Sequence, residues 1–111
     1  MKESVVEDAL VDETESWGGE CIKFTSPNKR GVPDRIVVLP GGIVGFVECK
    51  RPTGGKASAL QARQLDQLRL LGVHTALVST VAEAVGTVEE WAREGIAMRK
   101  IGRRLNPKEV A

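Results

Sequence analysis

Two apolar runs, Ile36-Val37-Val38-Leu39 and Ile43-Val44-Gly45-Phe46-Val47, flank Pro40-Gly41-Gly42, and each carries charge where a buried strand tolerates it poorly. Their β-branched content and the Pro-Gly-Gly between them predict a hairpin. Asp34 enters the first run, and Glu48 and Lys50 leave the second. Residues i and i+2 of a strand share a face, so Glu48 and Lys50 stand side by side. Pairing through the turn then brings Asp34 to the same end of the hairpin as Glu48. Two carboxylates and an ammonium on an apolar hairpin are costly to bury without partners. A divalent metal would supply one.

The rest of the chain reads as support for that hairpin. Val6, Leu10 and Trp17 recur at helical spacing over Glu3 to Ser16, and Gly18-Gly19 end the helix. Glu7 lies on the side of Leu10 and Val11 and is the acid there expected to face inward, with Glu3 one turn earlier as its alternative. Glu20 to Thr25 is a short strand, followed by a polar loop from Ser26 to Gly31. Ser58-Ala59-Leu60-Gln61 matches a capping box opening a helix to about Leu71, with Leu60, Leu65, Leu68 and Leu71 as its apolar face. His74 to Ser79 returns as a parallel strand, completing a β-α-β crossover with the strand that ends at Lys50. Thr80 with Glu83 and Thr87 with Glu90 predict two further short helices, burying Val81, Val85, Val88 and Trp91. The expected fold is a single α/β domain, a mixed central sheet flanked by helices, over residues 1–97. A basic tail with little periodicity follows over 98–111.

Charge distribution points to the partner. The chain of 111 residues has a net charge of +1, yet the acids between Met1 and Ile22 outnumber the single cation Lys2, leaving the remainder basic. Lys23, Lys29, Arg30, Arg35, Lys50, Arg51 and Lys56 cluster around the strands, and Arg99, Lys100, Arg103, Arg104 and Lys108 form a second group. Such clusters suit a polyanion. Cys21 and Cys49 lack metal-type spacing and read as small apolar residues of a reducing compartment, with no disulfide expected. No signal peptide or long apolar run is visible, so a soluble, cytoplasmic protein without membrane contact is expected. His74, alone at a strand start, reads as structural.

Hydrolysis of a phosphodiester requires an aimed water, neutralised phosphoryl oxygens and help for the leaving oxygen. Carboxylate-bound Mg²⁺ can serve all three. Asp34 and Glu48 are the hard oxygen ligands, the backbone carbonyl of Cys49 a third, and Glu7 a ligand to a second ion or a bound water. Lys50 would orient or deprotonate the water and stabilise charge at phosphorus.

Gly31-Val32-Pro33-Asp34-Arg35, the Pro-Gly-Gly turn, Phe46-Val47-Glu48-Cys49-Lys50-Arg51-Pro52, Leu60-Gln61 and Leu71-Gly72 together resemble the stand-alone VRR-NUC (virus-type replication-repair nuclease) domain of the PD-(D/E)XK superfamily, as found in phages. The resemblance runs from about Glu3 to Ser79. It implies a restriction-endonuclease-like core and Mg²⁺- or Mn²⁺-dependent DNA cleavage, with Asp34, Glu48 and Lys50 as the catalytic set. Glu7 is similar in placement to the first-helix acid of archaeal Holliday junction resolvases. Gln61 matches the family's helix glutamine, beside the active site rather than on the metal; a role in the capping box alone is the competing reading. Cys49 departs from the more usual Leu or Val there, which changes little, because only its carbonyl would be used. Candidate DNA contacts are Lys23, Ser26, Lys29, Arg30, Arg35, Arg51 and Lys56.

The expected activity is a structure-selective DNA endonuclease like a Holliday junction resolvase, acting on branched or duplex DNA in the host cytoplasm if phage-encoded. A junction's two-fold symmetry favours a homodimer, with the first helix or the segment after Gly95 as interface. The alternative is a non-catalytic nucleic-acid-binding module with a vestigial nuclease site.

Overall fold

The computed structural model describes residues 2–51 and 57–104, the last four by backbone alone. The elements run α1 (Glu3–Ser16), β1 (Glu20–Lys23), β2 (Arg35–Leu39), β3 (Ile43–Cys49), α2 (Ala59–Leu70), β4 (His74–Val78) and α3 (Val81–Arg104). The sheet order is β1-β2-β3-β4, antiparallel except for the parallel β3–β4 pair on either side of α2. The expected mixed α/β sheet is therefore present.

Strand alternation divides the sheet into two unlike faces. Val37, Leu39, Ile43, Val47, Cys49 and Val78 point to one side and are buried under Val6 and Leu10 of α1 and Ala84, Val88, Trp91 and Ala92 of α3. This is the core. The opposite face is covered mainly by α2, which leans on β4, and it stays partly open. Ile22, Val44 and Leu77 each keep about two-fifths of their surface exposed there. Of the expected α2 stripe only Leu65 is buried, and Leu71, at the C-cap, is 75% exposed.

Helix ends follow local chemistry. Gly18 (φ 81°) stops α1, its N–H donating to the Glu15 carbonyl while Gly19 N–H reaches back to Thr14, as in a Schellman motif. Inside α1 the Thr14 hydroxyl, buried, donates to the Leu10 carbonyl at 2.7 Å.

Three expectations are corrected. The predicted pair of short helices is one 24-residue helix, α3. Thr80 caps it through Glu83 N–H (3.0 Å), but the second box, Thr87 with Glu90, forms no side-chain cap among the described residues. Val88 and Trp91 are buried one turn apart there, and continuing the helix through Gly86 is what seats them. Nor does regular structure end near Met98: the helix runs on through Arg104, and 105–111 lie outside the described residues. β1 is also shorter than expected, although Phe24 N–H still donates to the Asp34 carbonyl at 2.7 Å.

α3 crosses the hairpin turn at Gly95, where a methyl would overlap the Pro40 carbonyl oxygen. Its 24 residues exceed what the sheet can cover, and every described side chain from Ile96 to Lys100 is exposed. Among the described residues no helix is long and apolar enough to cross a membrane.

Candidate active site

The hairpin register pairs Arg35 with Val47, which places Asp34 opposite Glu48. Both carboxylates leave the sheet on the α2 side, because their neighbours Arg35 and Val47 point to the α1 side. Glu48 is 5% exposed and is one of two buried polar residues among those described. Its Oε2 lies 3.3 Å from the Asp34 backbone N–H, while its Oε1 accepts from Gln61 Nε2 at 2.7 Å and faces Lys50 Nζ at 3.4 Å. Asp34, Glu48, Lys50 and Gln61 are thus brought together as expected.

The electrostatics of this group are unbalanced. Burial pushes the Glu48 carboxyl above its usual range, and the Asp34 charge pushes it further, against the pull of Lys50. Asp34 Oδ1 is buried without a hydrogen-bond partner among the described residues. A buried acceptor left unpaired is destabilising. Both features would be relieved by a cation between the two carboxylates, and hard oxygen donors suit Mg²⁺ or Mn²⁺. The donor set therefore fits such an ion.

The Cys49 carbonyl faces no backbone donor from β2. Lys50 N–H donates to Val78 on the β4 side at 2.8 Å, so across a trans peptide the Cys49 carbonyl points toward β2. Continuing the register places Pro33 opposite, and proline has no N–H to give. The Cys49 thiol, fully buried on the core side, is pushed up to about 12 by burial and by the nearby charges of Glu7 and Asp34. It is a neutral apolar filler at physiological pH. Burial likewise raises Cys21, against the opposing pull of Arg35, and both cysteines are free.

Glu7 is not brought into this group. Its carboxylate pairs with the Arg35 guanidinium at 3.6 Å on the α1 face, behind the strand that follows Asp34. Among the described residues no three His, Cys, Asp or Glu side chains form a metal-holding cluster, so the convergence is of two carboxylates rather than three. Glu3, half-buried in the first turn of α1, takes no part in an ion pair among the described residues. Strand parity carried the missed signal: Arg35 shares its face with Val37 and Leu39, and a cation beneath α1 needs an acid such as Glu7.

The candidate DNA contacts divide likewise. Lys23, Lys29, Arg30 and Arg51 are exposed, and Ser26 is half-buried in the loop before Asp34. Arg35 is 16% exposed and already paired, so it belongs to the interior rather than to a phosphate surface. Lys56 lies outside the described residues. His74 is far from the chemistry, opposite Gly45, where its Nε2 meets Glu94 at 2.9 Å and its ring meets Trp91 edge-on.

A four-stranded mixed sheet between helices, with the paired carboxylates at the mouth of its antiparallel hairpin, defines the restriction-endonuclease-like α/β class. No family model matches the sequence. The chain is 47% identical over 72 residues to the protein named "Putative nuclease p44" of Acyrthosiphon pisum secondary endosymbiont phage 1, a match covering 65% of this chain and 76% of that relative. A solved structure described as "VRR_NUC domain" superposes with a TM-score of 0.73 at 26% identity, over 80% of this chain and 97% of the other. A second, "VRR_NUC domain protein", shares the fold at 12% identity and a TM-score of 0.66, over 84% and 89% of the two chains. The chain belongs to the VRR-NUC family.

Proposed function

We propose that this protein is a metal-dependent, structure-selective DNA endonuclease of the Holliday junction resolvase kind. The observation that carries the reading is the pairing of Asp34 with buried Glu48, with Oδ1 of Asp34 unpartnered among the described residues and Lys50 3.4 Å from Glu48. The name of the phage relative agrees with a nuclease. Asp34, Glu48 and the Cys49 carbonyl would hold Mg²⁺ or Mn²⁺, which when bound supplies charge neutralisation at the phosphoryl oxygens and lowers the pKa of water. Glu48 keeps its place through Gln61 and Lys50. The Lys50 ammonium is positioned to orient a water and to stabilise negative charge gathering at phosphorus. Lys23, Lys29, Arg30 and Arg51 supply the phosphate-binding rim.

A junction is two-fold symmetric, and one active site per chain calls for a C2 homodimer to make both cuts. The first helix, or the segment after Gly95, whose described side chains from Ile96 to Lys100 are exposed, would supply the interface. Sedimentation at micromolar concentration checks it: a dimer is expected, and a monomer under conditions of full activity would remove that part of the reading.

The activity is tested with a panel of four-way junctions, flaps, nicked and linear duplexes, with Mg²⁺, Mn²⁺ or EDTA, using wild type and Asp34→Ala. Cleavage that needs the ion, prefers branched DNA and vanishes in Asp34→Ala is expected. Binding without cleavage by wild type, or cleavage surviving Asp34→Ala, would leave a nucleic-acid-binding module instead.

A further inference from the structure

We infer that the N-cap of α2 is a positioning element of the active site, in which the Ser58 backbone N–H orients Gln61 and Gln61 in turn fixes the Glu48 carboxylate. The inference rests on the nuclease reading of that carboxylate and assigns Ser58 a role beyond starting a helix.

A glutamine amide has one accepting end and one donating end. Ser58 N–H donates to Gln61 Oε1 at 2.9 Å, and the Ser58 hydroxyl accepts from Gln61 N–H at 3.1 Å. With its oxygen claimed by the backbone, the amide must turn its NH₂ outward, and that NH₂ meets Glu48 Oε1 at 2.7 Å. The opposite orientation would set NH₂ against N–H and carbonyl against carboxylate, two repulsive contacts. The backbone thus sets which way the amide faces.

The consequence falls on Glu48. The terminal torsion of a glutamate is broad, so its two oxygens interchange easily unless something distinguishes them. Here Oε1 is held by Gln61 and by Lys50 at 3.4 Å, while Oε2 is left on the Asp34 side. Oε1 takes both side-chain donors, and Oε2, which accepts from the Asp34 N–H at 3.3 Å, is directed to the place where Asp34 Oδ1 lacks a partner among the described residues. The two readings of Gln61, helix cap and active-site residue, are therefore one arrangement, because the cap uses the oxygen and the site uses the nitrogen.

Proline separates the backbone donor from the hydroxyl. Ser58 has φ −65° and ψ 162°, a conformation proline already prefers. Ser58→Ala removes the hydroxyl and keeps the N–H, whereas Ser58→Pro removes both. Binding of Mn²⁺ is measured by calorimetry, and junction cleavage is measured at saturating metal, for wild type, Ser58→Ala, Ser58→Pro, Gln61→Met and the Ser58→Pro/Gln61→Met double variant. Partners that orient a ligand change affinity or activity by roughly 10- to 100-fold when removed. Ser58→Pro is expected to fall at least ~10-fold below Ser58→Ala in Mn²⁺ affinity or cleavage rate, and to add little to Gln61→Met in the double variant. A purely structural cap would instead lower melting temperature, further in the proline variant, which loses both hydrogen bonds, and leave metal affinity level.

Equal Mn²⁺ affinity and cleavage in the alanine and proline variants would overturn the inference, as would undiminished affinity in Gln61→Met should Ser58→Pro not fold. If Asp34→Ala abolishes cleavage while Ser58→Pro does not alter it, the nuclease reading stands and the relay fails. If wild type neither binds Mn²⁺ nor cuts, the reading itself fails, and the relay with it.

Discussion

Gly86 and Gly95 lie in the same helix, yet the same substitution at each is expected to move stability in opposite directions. A methyl at Gly86 meets nothing within 4 Å among the described residues, so Gly86→Ala removes only the cost of glycine in a helix interior, about 1 kcal/mol. In a domain of this size that raises Tm by roughly 4–8 °C. At Gly95 the same gain is opposed, because the methyl overlaps the Pro40 carbonyl oxygen and lies 3.2 Å from Ile43 Cγ1. The principal obstacle is backbone, which no rotamer change relieves. Overpacking of this kind costs about 1–3 kcal/mol, leaving Gly95→Ala neutral to about 2 kcal/mol less stable than wild type. Helix propensity cancels between the two variants, so their difference isolates the crossing of α3 over the hairpin turn. Thermal unfolding by circular dichroism should separate their Tm values by at least ~4 °C, with Gly95→Ala the lower. Equal melting of the two variants would refute the close approach of helix and turn.

Three further outcomes are expected. Because burial and the Asp34 charge raise the folded pKa of Glu48, the native state holds that proton more tightly; stability is therefore lost as pH rises from the unfolded value through the folded one. Glu48→Gln should melt higher than wild type at pH 7–8 in EDTA while being inactive, and a lower melting point would contradict the buried-carboxylate cost. Glu83 has the opposite sign: Ser79 N–H and hydroxyl hold its carboxylate below the usual range, so its contribution is present above the unfolded pKa and fades as pH falls through the folded one. Glu83→Gln should flatten the acid limb of a stability profile, and an unchanged limb would dismiss the contact. Neutralising Lys29 and Arg30 together should lower the salt slope of DNA binding by up to about 1.8, at ~0.9 per phosphate contact; an unaltered slope would remove the loop from the footprint.

The hairpin and its charges were legible because the signals agree. Turn residues, strand propensity and strand parity all place Asp34 beside Glu48, and the distances bear that out. The β-α-β return was legible from a capping box that the structure realises in both hydrogen bonds. Thr87 and Glu90 misled, because a capping signal is local while burial of Val88 and Trp91 against the sheet is not. Glu7 was assigned from its helix face and from its likeness in placement to the first-helix acid of archaeal junction resolvases. Its partner became evident only when the sheet put Arg35 directly beneath it. Gln61 could not be decided between two roles from sequence, since only coordinates reveal that its two ends serve different masters.

Because core and chemistry alternate along β3, Val47 and Cys49 locked under the helices and Glu48 and Lys50 on the far side, the strand admits no frame shift. Deleting or inserting one residue between Ile43 and Lys50 would drive the glutamate into hydrocarbon and turn a valine toward the nucleic acid. Natural length variation in such nucleases should therefore collect in the loop before Asp34 and in the connection to α2, where the count of residues carries no such penalty.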